Sequence, residues 1–282
     1  MSDSYNEKRT GGEPFLDAKE TVRWHERLSA LLLPAMQHVV ERQGVAQSGA
    51  YNFYDFRLRQ RKVFLEYELA LAQKLLSCEL EIEHVHEVGS GFGQLVFLLG
   101  WNGFKAAGFE LDQPRAKTGE ALRSVLTLIE PELMRNITLH RHGFPSDSVP
   151  VPSRSLVLTT NFAVTSTPEA QMAIVKGMRR YRYVLIDVQR FFGLRMEIER
   201  EHEVLSLFAR AGFEAPTLFL DLGPSGKYYL FEGGVEGSGQ HNYTERRPGA
   251  FRHIFRAFRL PLGSGVRHLM QSFKKGGPAG RR

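Results

Sequence analysis

Apolar residues recur along this chain in two rhythms that alternate from residue 84 onward. Short apolar runs of strand length fall at 84–88, 106–111, 137–141, 155–160, 183–188, 217–222 and 227–232. Between them lie helical stretches: an apolar run Leu95–Leu99, then Pro114–Ile129, Pro168–Arg180 and Met196–Gly212. Pro114 and Pro168 sit in first turns, where a proline costs no hydrogen bond, and Thr167 is placed to cap the helix that Pro168 opens. Gly-Pro-Ser-Gly, a tight turn, joins the last two strands. Strands alternating with helices predict an α/β domain. Its expected form is a doubly wound, mostly parallel seven-stranded sheet with helices on both faces.

Before the first strand the rhythm is helical alone. Trp24, Leu28, Leu31 and Leu32 share one face of a run over 15–43, which Pro34 is expected to break or kink. After a loop rich in Gly, Ser and Ala, the positions Phe64, Tyr67, Leu71 and Leu75 define a second helix over 55–78. Residues 15–79 thus read as an N-terminal helical cap, 1–14 as disordered and 80–235 as the α/β domain. The second helix opens on Tyr51, Phe53, Tyr54, Phe56, Arg57, Arg59 and Arg61. That cluster reads either as the amphipathic start of a packed helix or as a lid over a ligand.

The stretch from His84 to Asp112 carries the candidate chemistry. A strand ends in Gly89-Ser90-Gly91-Phe92-Gly93 and feeds a helix, which presents backbone N–H groups at a helix N-terminus free of Cβ atoms. The next strand delivers Glu110, an acid suited to two ribose hydroxyls. The dinucleotide pattern G-x-G-x-x-G needs glycine where Gln94 stands, and here Glu87 precedes the first glycine by two residues. This E-x-G-x-G-x-G run, with Glu110 seventeen residues past Gly93, resembles the class I S-adenosylmethionine (SAM) methyltransferases. The resemblance covers roughly 80–233 and implies SAM as cofactor, held at Glu87, Gly89, Ser90, Gly91 and Gly93, with Glu110 on the ribose. It also implies an antiparallel strand inserted at the end of the sheet.

Carried over by position, the family's adenine contacts fall on Leu111 and on Gly143-Phe144. Phe144 stands where an acid is usual, so it would stack on the base instead of bonding its amino group. Strand 155–160 runs into Asn161-Phe162-Ala163, unlike the Asn-Pro-Pro-aromatic of enzymes that methylate base or amide nitrogens. Metal-dependent catechol-type relatives would show an Asp there and an Asp-Asn pair after the next strand. This chain has Asn161 and then Asp187-Val188-Gln189, so no metal site is expected. Open α/β sheets bind ligands at the carboxyl ends of their strands. Asp187 is therefore the candidate base, and Asn161 the candidate to orient the acceptor or the methionine carboxylate. The alternatives are a loop-stabilising carboxylate for Asp187 and an ordinary loop residue for Asn161.

Composition narrows the class. With 42% hydrophobic and 24% charged residues, the 282-residue chain has the make-up of a soluble globular protein. A single cysteine, Cys78, rules out an internal disulfide framework or a multi-cysteine metal centre. His84, His86, His140 and His142 alternate along two strands and are expected to face solvent or sheet. No apolar run reaches a membrane span, and the polar N-terminus lacks a secretory core, so a cytoplasmic protein is expected. The net charge of +6 is a property of the tail. From Arg246 onward there are ten basic and no acidic residues, leaving −4 for the rest. Within 236–282, Phe251, Ile254, Phe255 and Phe258, then Val266, Leu269, Met270 and Phe273, mark two basic amphipathic helices. Residues 249–275 could lie on an anionic membrane surface, bind a partner, or pack on the domain. Nucleic acid is not expected, because the body is acidic and no RNA motif is present.

The sequence thus points to a metal-independent SAM methyltransferase acting on a small-molecule or sugar/glycan acceptor, by O-methylation first. The alternatives are a catalytically weak SAM-binding protein at a membrane or in an assembly and, against the glycine spacing, an NAD-dependent oxidoreductase.

Overall fold

The computed structural model describes residues 18–43, 52–162, 167–192 and 198–233. The expectations for 1–14 and for the basic tail 236–282 lie outside these residues. Seven strands form one sheet: β1 (His84–Val88), β2 (Lys105–Phe109), β3 (Ile137–His140), β4 (Ser155–Thr159), β5 (Tyr183–Asp187), β6 (Thr217–Asp221) and β7 (Lys227–Glu232). Their order is β3-β2-β1-β4-β5-β7-β6. The first five run parallel, and β7 is inserted antiparallel between β5 and β6. Each strand lies within two residues of its sequence-predicted bounds.

Helices cover both faces. On one side α4 (Gln94–Trp101) and α5 (Gln113–Ile129) cross from β1 to β2 and from β2 to β3; on the other lie α7 (Pro168–Met178) and α8 (Ile198–Arg210). The short α6 (Pro131–Met134) follows α5. Thr167 caps α7 as expected, accepting the Ala170 amide, and Asp112, not singled out in the sequence, accepts the Arg115 amide ahead of α5. Helix α4 is QLVFLLGW, buried at every position, so it needs cover on its outer side as well. The N-terminal helices provide that cover. α1 (Ala18–Gln43) packs on α4 and α5, and α3 (Glu66–Ser77) packs on α4. Leu28, Leu32, Met36 and Leu71 join Val85, Leu98, Leu156 and Leu185 in one core, while Val157, Val184 and Ile186 face α7 and α8 in a second.

In the helical region the break that was one expectation at Pro34 does not occur, and the bounds of the second helix are corrected. α1 passes through Pro34 without ending. The proline is exposed, and burial of Leu32, Ala35, Met36, Val39 and Val40 holds the helix on both sides of it. The single helix expected over 55–78 is two, α2 (Asn52–Arg59) and α3, with Arg61 between them in a left-handed conformation, φ 52°. The break follows from Arg57, whose side chain is almost wholly buried. Its guanidinium donates to the Val63 carbonyl at 3.1 Å and to Glu68 at 2.5 Å. The other Glu68 oxygen accepts the Leu65 amide at 2.8 Å and closes the start of α3. A buried cation needs its counter-charge close by, and the chain folds back to bring one.

This ion pair makes the elbow costly to disturb. In Arg57→Ala, Glu68 is left buried without a cation, and the unfolding free energy measured by urea denaturation is expected to fall by about 3–5 kcal/mol. A loss below about 1 kcal/mol would mean that the elbow does not depend on the pair.

Candidate functional site

The sheet order reverses between β1 and β4, so the carboxyl ends of these strands open the crevice where a doubly wound sheet binds ligands. The glycine loop turns there. The Gly89 and Ser90 amides both donate to the Phe109 carbonyl, at 2.8 and 3.1 Å, and the Gly93 amide donates to Ser90 at 2.8 Å. The Gly91 amide donates to Glu110 Oε2 at 2.8 Å, and Glu110 Oε1 accepts the Asp112 amide at 2.8 Å. This differs from the expectation of bare amides: Gly89, Ser90, Gly91 and Gly93 donate inward, to β2 and within the loop.

Glycine is required at two of these positions. Gly89 has φ 74°, and a Cβ on it would stand 2.6 Å from the Phe162 ring. Gly91 has φ 59°, and a Cβ there would collide with the Tyr54 hydroxyl. Tyr54, from α2, stacks on Phe92 with ring centroids 3.6 Å apart, and its hydroxyl bonds the Phe92 backbone. Burial pushes that phenol up to about 12. Tyr54 thus both packs and roofs the loop. Beside the loop the protein leaves a void of about 10 Å³ lined by Ser90, Gly91, Glu110, Gly119, Leu139 and His140. That is room for about one water.

Glu87 and Thr160 come together behind the loop. Glu87 pairs in register with Leu158, and the side-chain alternation of β4 brings Thr160 to the same face two residues on. The Thr160 hydroxyl donates to Glu87 Oε1 at 3.0 Å, while Oε2 is buried with no partner. Burial, reinforced by the charge of Glu68, pushes this carboxyl up to about 8; Thr160 and Arg57 oppose the shift. Burial also raises Glu110, against the Asp112 and Gly91 amides that favour its charged form.

The remaining predicted residues divide. Leu111 is 69% exposed beside Glu110 and faces Gly143, where a Cβ would lie 3.7 Å from it. The half-buried Phe144 ring packs beside the second core, its centroid 5.6 Å from that of Phe109 and 6.0 Å from that of Tyr181. Asn161 is exposed at the end of β4. Asp187 is only 1% exposed. It accepts the Gln189 and Lys227 amides at 3.2 and 3.3 Å and Arg190 Nη1 at 3.3 Å. Here it ties the end of β5 to the start of β7, with burial pushing it up to about 6. Of the histidines, His86 is buried, shares a 2.7 Å hydrogen bond with the Tyr181 hydroxyl, and is held down to about 4 by desolvation. Among the described residues no group of three or more His, Cys, Asp or Glu could hold a metal ion, and no helix is long and apolar enough to cross a membrane.

Sequence reasoning missed Thr160 and the inward-facing Arg57 and Glu68, while Tyr67 is buried as expected. The first was findable: Leu156, Leu158 and Thr160 alternate on the face that Glu87 shares. The others carried no signal, because a charged residue within a helix start reads as solvent-facing until its burial is known.

The seven-stranded order with its one antiparallel insertion is the fold of the class I SAM-dependent methyltransferases. No family model matches the chain, and no curated protein sequence does. Similar solved structures include a putative O-methyltransferase from Nostoc punctiforme, at 12% identity over 72% of each chain with a TM-score of 0.48. Another is magnesium protoporphyrin IX methyltransferase from Synechocystis with bound SAM, at 9% identity over 69% of this chain and 96% of that one, TM-score 0.44. A third is the SAM-dependent methyltransferase SibL in its apo form, at 15% identity over 77% of this chain and 73% of that one, TM-score 0.45.

The state of Glu87 can be checked without any ligand. From pH 4.5 to about 8 the folded protein keeps a proton on Glu87 that the unfolded chain has released. The group's contribution to stability is therefore complete below pH 4.5 and is lost as pH rises through about 8. Glu87→Gln is neutral throughout. In thermal melts its stability relative to the native protein is expected to grow across that window by on the order of 1 kcal/mol per pH unit. A gap that does not change with pH would show that Glu87 is already ionised.

Proposed function

We propose that this chain is a SAM-dependent methyltransferase that acts on a small-molecule acceptor. The observation that carries the reading is the inward donation of the glycine-loop amides, flanked by Glu87 and Glu110. A dinucleotide would need loop amides directed at its pyrophosphate. Here Gly89, Ser90, Gly91 and Gly93 donate internally, which suits a phosphate-free nucleoside.

In this reading Glu110 uses the remaining lone pairs of its two oxygens for the ribose hydroxyls while still fixing Gly91 and Asp112. Leu111 and the Gly143 backbone border the adenine. Glu87 Oε2 receives the amino group of the methionine end, with Gly89, Ser90, Gly91 and Gly93 forming the floor. Bound SAM supplies an electrophilic methyl on a sulfonium. Asn161, exposed at the mouth, orients the acceptor or the methionine carboxylate. Asp187 holds the β5 and β7 ends in place, so the chain contributes chiefly alignment and exclusion of water. O-methylation of a small molecule or sugar, without a metal, is the finer form of the proposal. It draws on the absence of the amino-methylation motif after β4, and of the Asp after β4 and the Asp-Asn pair after β5 that a metal-dependent relative would show.

Calorimetric titration of the full chain tests the reading. Micromolar binding of SAM and of its demethylated product is expected, NAD should bind far more weakly, and Glu110→Ala should lose at least about tenfold in affinity. NAD binding without SAM binding would overturn it. The proposal places the protein in the cytoplasm, with segment 249–275 bringing it to anionic membranes. Cosedimentation with phosphatidylserine vesicles, lost in a chain ending at residue 245 and absent with neutral vesicles, is the expected result. Equal recovery with and without the segment would contradict that part.

A further inference from the structure

Glu87 sits in a layer of polar groups that leaves its charge unbalanced. From α2 the Arg57 guanidinium comes near, but it is bonded to Glu68 and to the Val63 carbonyl. From α3 come Glu68, an anion, and Tyr67, whose phenol burial holds neutral. Just past β2 comes Glu110, a second acid, and beyond β4 the Thr160 hydroxyl, which satisfies Oε1 alone. Glu87 is 4% exposed, so water does little to stabilise a charge there. A carboxylate in such a place, among two other acids and with Arg57 already engaged by Glu68, is costly, and the neutral acid is the stable form of the empty site.

We propose that Glu87 is a proton-exchanging residue of the cofactor site: it holds a proton while the site is empty and releases it when the ligand's ammonium group arrives. The inference rests on the cofactor reading above. The ammonium supplies the missing cation within hydrogen-bond reach of Oε2, and the carboxyl O–H bond breaks as the proton leaves for solvent. Ligand and proton therefore compete for one site, and affinity rises with pH until Glu87 is ionised in the free protein. That point is reached near pH 8, where burial and Glu68 place the group.

The test is titration calorimetry of the full-length chain at pH 7 with S-adenosylhomocysteine, which has the ammonium but no sulfonium. Runs in buffers of low and high ionisation enthalpy give the number of protons exchanged. About one proton released per ligand is expected, since a group titrating near 8 is about nine-tenths protonated at pH 7. Methylthioadenosine keeps the ribose and base but has no amino-acid end, and it should bind with no proton released. Two results would overturn the proposal while leaving the cofactor reading intact. One is binding of S-adenosylhomocysteine with the same heat in both buffers; the other is equal proton release by the two ligands. Failure of SAM, S-adenosylhomocysteine and methylthioadenosine alike to bind would overturn the cofactor reading and this inference with it.

Discussion

The Glu110 carboxylate, taking the Gly91 amide on one oxygen and the Asp112 amide on the other, ties together three parts of the chain. It fixes the loop after β1, the end of β2 and the approach to α5. The loop can accept this tie because Gly89 and Gly91 adopt positive φ angles that leave no Cβ between it and its neighbours. The same compact turn starts α4, a helix with no polar face, and α4 in turn requires α1 and α3 above it. One acid and two glycines thus set where the ligand crevice lies and why the N-terminal helices close over its edge.

Closing that edge carries a cost. The roof brings Arg57, Tyr67 and Glu68 inward to meet Glu87, Asp187 and Tyr228, whose hydroxyl is buried with no partner. Arg57 and Glu68 satisfy each other and in doing so shape the elbow between α2 and α3. Asp187 is satisfied by two amides and Arg190. Glu87 is satisfied on one oxygen only. A fold that buries an acid with half its hydrogen bonding unmet has a site that a ligand cation would complete, and this single imbalance links the architecture to the proposed chemistry.

Much of this was legible in the sequence, for physical reasons that differ along the chain. The seven strands were readable because their apolar runs are short, separated and punctuated by Gly and Pro, and parallel strands buried on both faces show little else. Thr167 and the early prolines announced α7 and α5 by capping chemistry alone. The glycine loop and Glu110 stood out by spacing. Less visible was anything that depends on which side chain becomes buried. Pro34 looked like a breaker, yet tertiary packing on both sides carries α1 through it. Residues 55–78 looked like one helix because apolar periodicity does not register a buried arginine turning back to its acid. The cluster around Tyr54 could be read as packing or as a lid, and Tyr54 stacks on Phe92 and covers the loop. The direction of the loop amides could not be read at all, since hydrogen bonding from a turn to the adjacent strand leaves no trace in residue type.

In our proposal the crevice beside Glu87 and Glu110 seats a phosphate-free nucleoside carrying an amino-acid end. A crystal structure of the chain with S-adenosylhomocysteine tests it most directly. Expected are ribose hydroxyls on Glu110, the base against Leu111 and Gly143, the amino group on Glu87 Oε2, and Tyr54 displaced from its position over Gly91. Ligand density elsewhere on the domain, with Tyr54 still stacked on Phe92 and Glu87 still facing no cation, would contradict it.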